Sequence, residues 1–462
     1  MGEIRRNDIS YGGSHNNYNL LENLPSINGN IIAENKSTIE LGIINDSEKS
    51  DVKTLSSNKI MDLFEGLANP VWGFIEHLDV LAPSQRIELT DACANYTPVT
   101  VNKTNGTYDL GSWYDWEWLK KNKPYMVHAD GSVDYELSAT DYTKKVDGET
   151  ASDVENTAYD GGAFSWGNLI YKYEKRDNNK RIVKFSMVPR PGFEPVGFVN
   201  PDGTIVAGRW IPMFYASVVD GKATSIAGTQ PSYSIDTDAQ RAALVARNAN
   251  TKFFGGAFVE TLIDICYMLA GTTEIQGAWG TGNMSGYNAS DTYKGVKANA
   301  VVGGGQFYGT SNNTSLNKIF HSIVLGTYQQ WMRDPYELVV AGRVKVSKDY
   351  TYDLTGATYT DTGVNVPNKS DSNWGYPIDY ITVADYGSVP DITKTGGSTS
   401  TGVCDGTYTR SDQSSYTTVL LRFGHCNAGA CDGLRARHWN NPAGSTNWHF
   451  GFAALLDSSG TP

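Results

Sequence analysis

Between residues 70 and 185, short apolar stretches alternate with polar turns, the pattern of strands joined by tight connections. "GTYDLGSWYDWEWLKKNKPYMV" concentrates aromatic side chains. Trp113, Trp116 and Trp118 are expected in strand core and at strand edges, because large rings supply buried area. The acidic run "KKVDGETASDVENTAYDGG" reads as a loop. From about Lys184 the pattern sharpens. "GFVNPDGTIVAGRWIPMFYASVVDGKATSIAG" predicts a strand, a Pro-Asp-Gly turn, a second strand and another turn. Residues 236–271 predict two helices. Asp236 or Thr237 caps the first. The second carries Phe258, Leu262, Ile265, Cys266 and Leu269 at helical spacing and stops at Gly271. Residues 277–313 are Gly-rich and polar without phosphate-loop spacing, so they read as irregular loop. More strands follow in residues 321–347. Residues 350–402, rich in Thr, Ser, Gly and Asp, read as loop, and residues 416–456 form a closing segment.

The first 58 residues have another character. Ile27, Ile31, Ile32, Ile39, Leu41 and Ile43 flank Asn28-Gly29, a strong hairpin turn. A piece this small cannot hold a core alone, so it is expected to be ordered by wrapping a neighbour or by trimerising. A polar linker over residues 45–58 and a short helix over residues 59–67 are expected after it. The division that follows is 1–58 for attachment and oligomerisation, 59–184 for a β-rich central domain, and 185–462 for a C-terminal domain.

Composition narrows the function classes. The 462 residues include 48 Gly, 27 Tyr and 11 Trp, with only 19% charged residues, which favours strands and tight turns over helical bundles. A net charge of −12 argues against a chain-wide nucleic-acid footprint, which needs excess Lys and Arg. There is no apolar run of membrane-spanning length, and "MGEIRRNDIS" lacks the apolar region of a secretory signal. No membrane insertion is therefore expected. Five cysteines are too few and too scattered for a disulfide framework.

The closing segment "LRFGHCNAGACDGLRARHWNNPAGSTNWHFGFAALL" concentrates unusual side chains on a turn-rich background. Three readings compete. Cys426 and Cys431 could be a catalytic thiol pair, but no clear base or positioning group accompanies them. Cys426, Cys431, His438 and His425 have the ligand types of a zinc site, in the spacing C-x4-C-x6-H, which lies outside the common finger patterns. The third reading is a recognition surface of Phe423, His425, Asn427, Cys431, Arg435, Arg437, His438, Trp439, His449 and Phe452, displayed by Gly and Asn bends. Leu434, Trp448, Phe450 and Leu455 would then be its core anchors.

From Phe198 onward the chain resembles phage proteins of the C-type-lectin fold related to the formylglycine-generating-enzyme fold, a group that includes targets of diversity-generating retroelements. The resemblance rests on the strand pair, the "SIAGTQP" loop, the "AR" helix, the second helix and the Gly-rich loop. Its most specific part is the closing pattern R-x-G, a small-residue turn, N-N and N-W-x-x-G. The Ile27–Ile43 module separately resembles N-terminal segments of phage fibre proteins. The resemblance implies an α+β, β-rich multidomain protein with an N-terminal fibre-like attachment module and a C-terminal C-type-lectin-like domain. It further implies a tail fibre or spike that binds a host-surface protein or glycan, the alternative being a head fibre or capsid-decoration protein. Homotrimerisation and contact with other virion proteins through Ile27, Ile31, Ile39, Leu41 and Ile43 are expected, with no enzymatic activity, cofactor or metal. In retroelement-diversified members, adenine randomisation permits Phe, His, Cys, Arg and Asn but never Trp, so Trp439 departs from that pattern.

Overall fold

The computed structural model describes residues 69–368, 373–458 and 460–462, together with the strands Ser26–Ile27 and Asn30–Ile31. Two units separate, Met1–Ala68 and Asn69–Pro462. In the first, Ser26–Ile27 and Asn30–Ile31 pair antiparallel on either side of Asn28-Gly29. Ile39, Leu41 and Ile43, the expected linker and the expected helix over residues 59–67 lie outside the described residues.

The second unit is a β-rich α+β body with few helices. A four-stranded antiparallel sheet runs in the order Tyr171–Asp177, Lys180–Ser186, Val71–His77, Ile87–Asp91. Its first hairpin turns at Asn178-Asn179, with Asn178 in the left-handed conformation (φ 51°) that asparagine tolerates better than most residues. A six-stranded sheet runs Lys252–Phe253, Ala454–Asp457, Gly208–Pro212, Gly161–Asn168, Pro124–His128, Val133–Glu136. The largest sheet runs Thr360–Asn365, Arg343–Val346, Trp331–Val340, Thr417–Arg422, Arg437–His438, Thr407–Thr409, Asn373–Gly375. In it, Phe450–Gly451 lies parallel to Trp331–Val340.

The boundary expected at residue 184 is corrected. The six-stranded sheet joins strands from residues 124–168 to strands from residues 208–212 and 454–457, so both sides of the proposed division share one sheet and one hydrophobic core. Local pattern could not reveal this, because the pairing that fuses the halves, Gly208–Pro212 against Gly161–Asn168, crosses the irregular segment between them. The Thr/Ser-rich stretch read as loop also carries paired strands, among them Thr360–Asn365 and Tyr380–Val383. Strand formation there follows from available partners more than from residue preference.

The two helices form where their spacing predicts. Asp236 caps Thr237–Arg247 by accepting a hydrogen bond from the Ala239 N–H at 2.8 Å. Gly256–Ala270 is buried on every face and ends at Gly271 in the left-handed conformation (φ 61°). Trp113, Trp116 and Trp118 are buried as expected. They lie on or beside the 3-10 turn Gly111–Asp115 and the short helix Glu117–Lys121, not on strands.

Candidate recognition face

The buried helix Gly256–Ala270 carries two carboxylates, Glu260 and Asp264, four residues apart and therefore on one face. Neither reaches water, so each requires cations. Glu260 accepts from Arg422 Nη1 at 2.5 Å, Arg437 Nη2 at 2.6 Å and Arg435 Nη1 at 2.9 Å. Asp264 pairs with Arg435 at 2.5 Å and with Arg181 and Lys172 at 2.6 Å each. Arg181 continues to Glu174 and Glu76, and Glu76 to Arg86. At the other end, Arg437 meets Glu337 at 3.1 Å and Arg422 meets Asp334. Six cations (Lys172, Arg86, Arg181, Arg422, Arg435, Arg437) thus face six carboxylates (Glu76, Glu174, Glu260, Asp264, Asp334, Glu337). The network is electroneutral, which burial of so many charges demands.

This network overturns part of the expected display surface. Arg435 and Arg437 point into the core, two residues apart on one side of an extended segment, and His438 falls on the opposite side. Phe423, Cys431, Trp439 and Phe452 are also buried. Phe452 and Phe423 join the main hydrophobic core, and Trp439 Nε1 donates to Glu337 at 2.8 Å. The sequence offered outward-facing arginines because their partners, Glu260 and Asp264, lie more than 160 positions away. Of the ten expected residues, only Asn427 is exposed, and His425, His438 and His449 are half-buried.

These three imidazoles belong to a shelf of aromatic rings that local reading did not assemble. His438 stacks on Tyr408 with centroids 4.5 Å apart and planes within 7°, and Trp374 stands nearly perpendicular to both. His425 stacks on His449 at 4.4 Å, with Trp448 perpendicular to both. The two groups meet on buried Trp331, whose ring lies 5.2 Å from His438, 5.7 Å from His425 and 6.1 Å from Trp374. Tyr287, 40% exposed, extends the shelf 5.3 Å beyond Trp448. Trp448 therefore belongs to the shelf and is half-buried, not a core anchor. Trp374, Tyr408, Tyr287 and Trp331 come from separate stretches of chain, and no spacing in the sequence connects them to residues 425–449.

Burial sets the charge of the shelf. It lowers the His425 pKa to about 2, with His449 and His438 adding to the effect. It holds His438 at about 3 and His449 at about 4. All three rings are neutral at pH 7. The backbone N–H of Asn427 donates to His425 Nδ1 at 3.2 Å, and Asn441 Nδ2 lies 3.2 Å from His438 Nδ1. With both Nδ1 atoms accepting, each ring carries its proton on Nε2.

The loop between the shelf's two main strands is shaped by two buried carboxyl groups. Asp432 Oδ2 accepts the His425 N–H at 3.2 Å, and Asp405 Oδ2 accepts the Arg435 N–H at 2.7 Å. Gly424 (φ 138°) and Gly433 (φ 155°) admit them closely. A Cβ on Gly424 would lie 2.0 Å from Asp432 Cγ, and one on Gly433 would lie 1.9 Å from Asp405 Oδ1. Burial raises the Asp405 pKa to about 7 and that of Asp432 well above the ordinary range. Asp432 Oδ1 finds no hydrogen-bond partner among the described residues.

Cys426 and Cys431 are buried and unbridged. Burial pushes the Cys426 thiol up to about 12 and raises Cys431 also, the reverse of what a thiolate nucleophile needs. Cys431 Sγ lies 3.0 Å from the Ala428 carbonyl oxygen. Among the described residues, no group of three or more His, Cys, Asp or Glu side chains is placed to hold a metal ion. No described helix is long and apolar enough to cross a membrane. In comparisons with known proteins, no family model and no curated protein matches the chain.

Proposed function

We propose that this chain is a virion surface protein of the fibre or spike kind, and that it binds a host-surface partner through the aromatic shelf. The observation that carries the reading is the shelf itself. Half-exposed Trp, Tyr and His rings, four of them paired in two stacks, rest on buried Trp331 above a cross-braced ionic core. Aromatic side chains supply large contact area at low conformational cost and dominate the energetics of recognition surfaces. A rigid floor keeps that cost low, because the rings are ordered before any partner arrives. The C-type-lectin-like assignment of the C-terminal part rests on the closing motif, and the scaffold it implies suits this role. A homotrimer joined through the N-terminal residues would present three shelves and turn weak single contacts into firm attachment.

Binding of the labelled full chain to a panel of bacterial cells tests the reading, with Tyr287→Ala and Trp448→Ala compared against the parent. Both variants change shelf rings and leave the core network intact. Loss of cell binding with an unchanged melting curve is the expected result, and full retention by both variants would overturn it. Light scattering of the same protein reports the mass, expected at three chains.

A further inference from the structure

The shelf has a repeated internal design. A perpendicular tryptophan closes each of two stacked pairs: Trp374 against Tyr408 and His438, and Trp448 against His425 and His449. Both groups rest on Trp331. From this we infer that the shelf binds an uncharged oligosaccharide, with one sugar ring at each tryptophan-closed group. The inference rests on the reading of the shelf as a recognition face and names its ligand class.

Three observations converge on that class. First, the charge of the face complements a neutral ligand. Its imidazoles are uncharged at pH 7, and the arginines of the same segment are consumed by Glu260, Asp264 and Glu337 within the core. The arginines of that segment are therefore not free to receive an anionic glycan or a phosphate. Second, the ring faces carry the negative side of an aromatic quadrupole, which attracts the polarised C–H groups on the flat face of a pyranose. Third, hydrogen-bonding groups stand beside the rings: exposed Asn427, half-buried Asn441 and the Nε2–H groups of His425 and His438. Aromatic area with a few fixed polar groups is the composition of a site that orients a polyhydroxylated ligand. Two such groups sharing one floor favour a chain of at least two sugars over a monosaccharide.

The test uses the full-length protein. An immobilised panel of neutral gluco-, galacto- and manno-oligosaccharides, with sialylated and sulfated members alongside, is probed with the parent and with Trp374→Ala, Trp448→Ala and Asn427→Ala. The parent is expected to retain neutral oligosaccharides of two or more units. Each tryptophan variant is expected to bind about tenfold more weakly, the scale of truncating a central aromatic contact, and Asn427→Ala less severely. Cells treated with periodate, which cleaves sugar diols, are expected to lose binding, whereas protease-treated cells keep it. The reverse pattern on cells, still abolished by Trp448→Ala, would overturn the glycan assignment while leaving the recognition face standing. Binding to cells that survives both tryptophan variants would sink the face itself. Preference for the sulfated or sialylated members would also refute the inference, since it requires a cationic site.

Discussion

Replacing Glu260 by Gln tests the central physical claim, that the closing segment is fastened to the core by buried charge. The substitution keeps the side chain's shape and removes the carboxylate that receives Arg422, Arg435 and Arg437. Removing one member of a buried ion pair costs about 3–5 kcal/mol, because the other member is left uncompensated. The protonation of Glu260 carries a similar magnitude. Burial alone would raise the Glu260 pKa, yet Arg437, Arg422 and Arg435 together hold it at about 2 against an ordinary 4.5. At about 1.4 kcal/mol per pKa unit, that depression corresponds to roughly 3 kcal/mol. The two routes agree. The sign follows from the depressed folded-state value: the stabilisation is complete above about pH 4.5 and is lost as pH falls toward 2. Equilibrium denaturation in guanidinium chloride at pH 7 is expected to place Glu260→Gln about 3 kcal/mol below the parent. The difference should shrink to less than half by about pH 3, where the unfolded parent is already protonated. Equal stability at pH 7, or a difference that ignores pH, would refute the argument.

Further outcomes follow from the same geometry. Arg437→Ala should destabilise by about 3–5 kcal/mol, whereas Asn427→Ala, on the exposed rim, should fall within about 0.5 kcal/mol of the parent; denaturation midpoints separate the two. Asp432→Asn should stabilise the protein at pH 8, because an amide cannot ionise, whereas the buried carboxyl ionises there at a cost to folding. A raised folded-state pKa means that the parent loses stability as pH climbs above the ordinary carboxylate value. The gain from Asp432→Asn should therefore vanish near pH 3, where folded and unfolded carboxyls are both protonated. Gly433→Ala should cost at least about 2 kcal/mol, since it places a methyl group 1.9 Å from Asp405 Oδ1 at φ 155°, a conformation L residues rarely adopt. Thermal melts of the purified variant would register it, and an unchanged melting curve would contradict the packing described for that loop.

Elements with local causes were legible in the chain. The helix Thr237–Arg247 announces itself by a capping aspartate, and Gly256–Ala270 by apolar spacing and a terminal glycine. Burial of Trp113, Trp116 and Trp118 followed from ring size alone. Strands within residues 350–402 were illegible because their composition is that of loops, and pairing partners, near for Tyr380–Val383 and farther for Asn373–Gly375, make them strands.

The closing segment divides along the same line. By itself the sequence marked residues 421–456 as chemically unusual and placed His425, His438 and His449 among its candidates, because residue type and turn chemistry are local properties. It could not decide which side chains face inward. Arg435 and Arg437 turn to the core because Glu260, Asp264 and Glu337 lie there, brought by a helix and a strand far away in the chain. His438, one residue on, is left outside by strand alternation and meets Trp374 and Tyr408. Direction in a folded chain is set by the partners that three-dimensional packing supplies, and a charge that must be compensated follows its counter-charge into the interior.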